Sequence, residues 1–92
     1  MTAFSMTEIA QRLAAAPDWQ WQHDNLVRTF NFTDFREAMS FVNSVAAVAE
    51  RAGHHPDIDI RYNRVTLALS SHDAGGITER DFDLAGEIGR IL

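Results

Sequence analysis

Three of the four histidines stand where they could do chemistry together: the doublet His54-His55, followed by Pro56, and His72 further along the chain. A free imidazole titrates at about pH 6.5, so at neutral pH one ring can accept a proton while another donates one. Three histidines can also hold zinc with an open fourth position. They can equally be polar residues at a strand edge with no task. Strong zinc signatures carry histidines at helical spacing or paired cysteines, and this chain has no cysteine at all. Two carboxylates lie within reach of the histidines in sequence. Asp81 is three residues after Thr78, the spacing of a helix-capping box, and a carboxylate there can also accept an imidazole N–H. Glu50 precedes His54 by one helical turn and can orient an imidazole in the same way, though a surface carboxylate is the commoner outcome at such a position. His23, alone in a polar stretch, reads as a turn residue.

These side chains meet only if the chain carries them to one place. Ser5-Met6-Thr7-Glu8 has capping-box spacing and opens a short helix that Pro17 ends. From Trp19 the apolar period becomes two: Trp19 and Trp21 alternate with glutamines, and Leu26, Arg28, Phe30 and Phe32 continue the pattern after the polar His23-Asp24-Asn25, giving a hairpin. Thr33 or Asp34 caps a long helix to about Arg51. Phe35, Ala38, Met39, Val42, Val45, Ala46 and Ala49 form its stripe, and Phe41 and Val48 widen it. An arc that broad predicts contact with the sheet and with a further helix or subunit. Gly53 ends the helix.

Period two returns with Ile58, Ile60 and Tyr62, then Val65, Leu67 and Leu69, so a second hairpin is expected with Asn63-Arg64 as its turn. Residues whose numbers sum to about 126 would then pair, which sets His54 opposite His72, with Cβ atoms about 5 Å apart. Pro56 holds His55 extended, so the doublet approaches that mouth from two directions. A polar loop leads to Thr78 and a last helix bearing Phe82, Leu84, Ala85, Ile88, Ile91 and Leu92 on one side. Gly86 and Gly89 weaken this helix by about 1 kcal/mol each relative to alanine, which predicts close backbone approach. The order α-ββ-α-ββ-α fits a single α+β domain over residues 1–92: a two-layer sandwich, a four-stranded antiparallel sheet with three helices on one face.

Composition narrows the function. Thirteen carboxylates oppose eight basic residues, all arginines and none clustered, so direct nucleic-acid binding is not expected. No charged stretch leads into a long apolar run at the start, and no window approaches the roughly 20 apolar residues of a membrane span. The expected compartment is the cytoplasm. A core this small, without disulfides, predicts reinforcement by self-association.

The pattern Glu50-x3-His54-His55-Pro56-x5-Tyr62-x9-His72-x8-Asp81 resembles the signature of the pterin-4a-carbinolamine (4a-hydroxytetrahydrobiopterin) dehydratases. Trp19, Phe30-x-Phe32-x-Asp34-Phe35, Ala38, Phe41, Gly76-Ile77-Thr78 and Asp81-x2-Leu84-Ala85 are also similar to that family, so the likeness spans almost the whole chain. It implies four antiparallel strands with three helices, in homodimers that join sheets and helices or in homotetramers. It implies a hydro-lyase that removes water from 4a-hydroxytetrahydropterin, the product of aromatic amino-acid hydroxylases, giving quinonoid dihydropterin for reduction and reuse. No metal or organic cofactor is implied. By position, His54, His55 and His72 would be the acid-base set, with His54 and His72 in direct proton transfer. Gly53, Ser70, Ser71, Asp73 and Trp19 would bind the pterin, and Asp81 and Glu50 would orient imidazoles. Some members also bind a homeodomain transcription factor, so a protein-interaction module using the helix over 35–49 is the alternative.

Overall fold

The computed structural model describes residues 2–92, so the first residue of the expected 1–92 unit lies outside it. Among the described residues are α1 (Met6–Leu13), β1 (Gln20–Gln22), β2 (Asn25–Asn31), α2 (Phe35–Ala52), β3 (Asp57–Arg61), β4 (Arg64–Leu69), a 3₁₀ turn (His72–Ala74) and α3 (Glu79–Arg90). The strands form one antiparallel sheet in the order β1-β2-β4-β3. This is the expected α+β order, and no helix among the described residues is long and apolar enough to cross a membrane.

Local chemistry accounts for the element ends. Ser5 and Glu8 exchange the two bonds of a capping box at α1, as Thr78 and Asp81 do at α3. Asp34 caps α2 by accepting from the Glu37 N–H. Gly53 closes α2 at φ 64°, a left-handed conformation that costs a residue with a Cβ about 1–2 kcal/mol.

Alternation builds the core. Leu26 and Phe30 of β2 and Val65, Leu67 and Leu69 of β4 are buried on the helical face, under Val45 of α2 and Leu84 and Ile88 of α3. Helix α2 touches both β4 and α3, so the further helix predicted from its broad arc is α3. Its stripe is rotated from the expected one: Ala38, Phe41, Val42, Val45, Val48 and Ala49 are buried, Met39 is half-buried, and Phe35 and Ala46 are exposed. Ile58 and Ile60 share the core face with Leu67 and Val65, yet stay partly open because β3 is an edge strand.

Two expectations fail. The second hairpin turns one residue early: Arg61 pairs with Arg64 across Tyr62-Asn63, and Tyr62 takes φ 55°. The cause lies across the sheet, where Asn63 gives its side-chain amide to the Phe32 carbonyl at 2.7 Å and its own carbonyl accepts the Phe32 N–H at 2.9 Å. Gly86 and Gly89 do not serve close packing either. A Cβ on Gly89 would meet nothing within 4 Å, and one on Gly86 only the tip of Arg90 at 3.9 Å.

Candidate functional site

The early turn moves His54. Paired positions sum to 125, and the ladder starts only at Asp57, so His54 has no cross-strand partner and does not stand opposite His72. A one-residue slip reverses every side chain between faces. The end of α2 sets its place instead. With Gly53 left-handed, the His54 N–H returns to the Ala49 carbonyl at 3.1 Å and the Gly53 N–H to that of Glu50 at 3.2 Å. The chain reverses, and the imidazole is buried at 9% exposure.

Its partner there is Asp81, fully buried in the first turn of α3, with His54 Nε2 2.6 Å from Oδ1. The other oxygen, Oδ2, accepts the Ser71 hydroxyl and the Thr78 N–H, each at 2.9 Å. Oδ2 already takes two donors and Oδ1 has Nε2 as its partner, so the hydrogen-bond network assigns the ring proton to Nε2. Ser71 has one hydroxyl proton and gives it to Asp81. Its 2.8 Å contact with Thr78 is therefore donated by the Thr78 hydroxyl. The capping and imidazole-orienting uses of Asp81 are thus simultaneous, one on each oxygen.

The other expected residues are dispersed. Glu50 meets His55 at 2.8 Å, Nε2 to Oε1, on the open surface. His72 is exposed at the start of the 3₁₀ turn, directly after Ser71, so Asp81 ties together the backbones that carry His54 and His72. Ser70 is buried beside Ser71. The Ser71 hydroxyl and the Gly53 N–H are already engaged within the chain, so neither is a free donor for a ligand. Trp19 is 5% exposed, edge-on to Phe30, and lines a cavity on the other flank of α3 from His54. Among the described residues no group of three His, Cys, Asp or Glu side chains is gathered as a metal ion requires.

A residue the sequence reading passed over completes the surroundings. Arg80 lines a cavity of about 180 Å³ with His54, Asp83, Leu84 and Glu87; its Nε is buried without a partner, and its Nη2 binds Asp73 at 2.5 Å. An available signal was its position: a cation in the first turn of a helix opposes the helix dipole. Arg80 holds the Asp73 carboxyl below its ordinary range. A lowered carboxyl stabilises the fold above the unfolded value and loses that contribution as pH falls through the folded one. Wild type should therefore lose slightly more stability than Asp73→Asn below about pH 4, and equally above it, in urea unfolding followed against pH. The pair is exposed, so the difference should be small.

A sheet covered on one face by three helices, with a buried His–Asp pair where the last helix begins, defines the class as a small two-layer α+β protein. The model of the pterin 4 alpha carbinolamine dehydratase family matches residues 2–91. A protein of Chloroflexus aurantiacus is 56% identical over 92 residues, covering 100% of this chain and 99% of its own length. One of Acidobacterium capsulatum is 56% identical with 100% of both chains covered. Both bear the name pterin-4-alpha-carbinolamine dehydratase provisionally. The crystal structure of a transcriptional coactivator/pterin dehydratase from Brucella melitensis superposes with TM-score 0.92 at 33% identity, over 98% of each chain. The chain belongs to the pterin 4 alpha carbinolamine dehydratase family, whose named activity is that of a hydro-lyase.

Proposed function

We propose that this protein removes water from a 4a-hydroxytetrahydropterin to give the quinonoid dihydropterin, by acid-base catalysis on imidazoles. The observation that carries the reading is the buried pair of His54 and Asp81. In the reaction the C4a–O bond breaks and oxygen leaves as water, which requires a proton. The lone pair of the adjacent ring nitrogen forms the new double bond to C4a, and the N–H proton of that nitrogen goes to a base. Asp81 holds the Nε2 proton of His54, leaving Nδ1 to receive the substrate proton, and the carboxylate lies opposite the charge the ring then takes up. His72, on the turn that Ser71 and Thr78 anchor, supplies the proton to the leaving oxygen. His55, held by Glu50, binds the pterin or serves its second stereochemical face. Arg80 offers N–H donors to a carbonyl of the pterin.

This chemistry uses no metal or organic cofactor, and it returns to the reductive cycle a pterin released by aromatic amino-acid hydroxylases. Self-association is assigned to the β3 edge, where Ile58, Ile60 and Tyr62 are exposed. The interaction-module alternative is not favoured, because the apolar stripe of α2 is largely buried within its own chain. The direct test is turnover of freshly generated 4a-hydroxytetrahydropterin by purified protein. The quinonoid absorbance should appear well above the buffer rate and be unchanged by exhaustive chelation. No acceleration removes the activity from this chain, and loss with chelation removes the metal-free scheme.

A further inference from the structure

We propose that the cavity on the opposite flank of α3 from His54 binds a small aromatic monocarboxylate. This cavity measures about 340 Å³, within the size range of small-molecule sites, and has Trp19, Phe82, Gly86 and Gly89 among its apolar walls. Its unusual member is Arg28. This residue lies on a central strand between Leu26 and Phe30, paired with Leu67, so its side chain emerges on the helical face of the sheet, where alternation calls for an apolar residue. It is only 19% exposed, and its sole ion-pair partner among the described residues is the open Asp18 at 3.9 Å, too long for a hydrogen bond. The guanidinium instead lies over the Phe30 ring, 4.5 Å from its centre. A half-buried cation with no protein acceptor within hydrogen-bond distance is free to take one from a ligand, and a carboxylate matches the paired N–H groups of a guanidinium. The other cavity arginine, Arg12, is occupied by Glu79 at 2.5 Å.

The glycines give the rest of the ligand its shape. Gly86 and Gly89 stand one turn apart in the cavity wall, where only the tip of Arg90, 3.9 Å from a Cβ on Gly86, comes near the space their missing Cβ atoms leave. A helix weakened twice without an internal contact in return is accounted for if a flat group lies against the bare backbone. Asp18 and Asp83 also line the cavity, so an anion is held by direct pairing with Arg28 and not by a net positive field; that pairing and the smooth wall opposite together select an aromatic acid.

The experiment titrates the full-length protein with benzoate and 2-naphthoate, following the amide resonances of Gly86 and Gly89. Benzamide, with the same ring and no charge, and inorganic phosphate, with charge and no ring, are the controls. Saturable shifts with the acids, at least about tenfold weaker for either control, support the site. Arg28→Gln should weaken benzoate by about tenfold or more. Gly89→Ala, which favours the helix and meets no neighbour, should also abolish tight binding while leaving pterin turnover unchanged. Absence of saturation, equal binding of benzamide or phosphate, or unaltered benzoate affinity in both variants overturns the proposal. None of these results bears on the histidine reaction, so the two readings fail separately.

Discussion

His54→Gln is expected to lower kcat for pterin dehydration by about 10²-fold or more, with little change in KM, because general acid-base assistance contributes roughly 10² to 10⁴-fold. Glutamine is the informative replacement. Its amide still offers an N–H to Asp81 Oδ1, so the buried carboxylate keeps a third donor and the fold is retained, while no group that exchanges protons remains. His54→Ala removes that donor too, and should lose an additional 1–3 kcal/mol or so of stability. His72→Ala should reduce kcat comparably with almost no effect on unfolding, since that side chain is exposed. His55→Ala should have the smallest effect on kcat, its ring lying on the surface against Glu50. A His54→Gln enzyme within threefold or so of wild type would remove His54 from the proton path.

The sequence was informative wherever the deciding interaction is local. Both capping boxes, the Gly53 stop and the period-two strands depend on residues within a few positions of one another, and each stands where its spacing placed it. The register of the second hairpin was not local. It is fixed by Asn63 bonding to Phe32 just past the end of β2, thirty-one positions away, and no window around the turn contains that fact. That single displacement changed the reading of the site, because the partner of His54 became Asp81 rather than His72. Asp81 illustrates the same limit in another form. Its capping role could be read from its distance to Thr78, but its second role required knowing that Gly53 turns the chain back beneath α3. Arg80 belongs to no motif; its signal in the sequence, a cation at the wrong end of a helix, is an electrostatic misfit. Gly86 and Gly89 were recognised as unfavourable, but the expected compensation was close packing, whereas the structure leaves open space beside them.

Asp81→Asn should be the most destabilising single change at the site, by about 3–5 kcal/mol, since each hydrogen bond to a charged group contributes about 1.5–3 kcal/mol and more than one is weakened. The carboxylate receives three donors: His54 Nε2, the Ser71 hydroxyl and the Thr78 N–H. An asparagine amide has one acceptor oxygen and one NH₂ group, so whichever way it turns, a donor faces a donor. With the oxygen toward Ser71 and Thr78, the NH₂ meets His54 Nε2. The imidazole must then move its proton to Nδ1 to accept from the amide, and the nitrogen assigned to the substrate proton is no longer free. With the oxygen toward His54, the NH₂ faces the Thr78 N–H and the α3 cap is lost, while the Ser71 hydroxyl must reverse to accept from the amide, which weakens the anchor of the turn carrying His72. Either orientation should lower kcat by at least about 10²-fold in protein that remains folded at low temperature. The two are separable by ¹⁵N resonances of the His54 ring: Nε2–H in wild type, Nδ1–H in the first orientation. Ser71→Ala, which removes one donor and leaves Asp81 two, should cost only about 1–3 kcal/mol and preserve the wild-type tautomer. An Asp81→Asn protein within about 1 kcal/mol of wild type in urea unfolding, with Nε2 still protonated, would show that this carboxylate neither anchors the loop nor sets the imidazole.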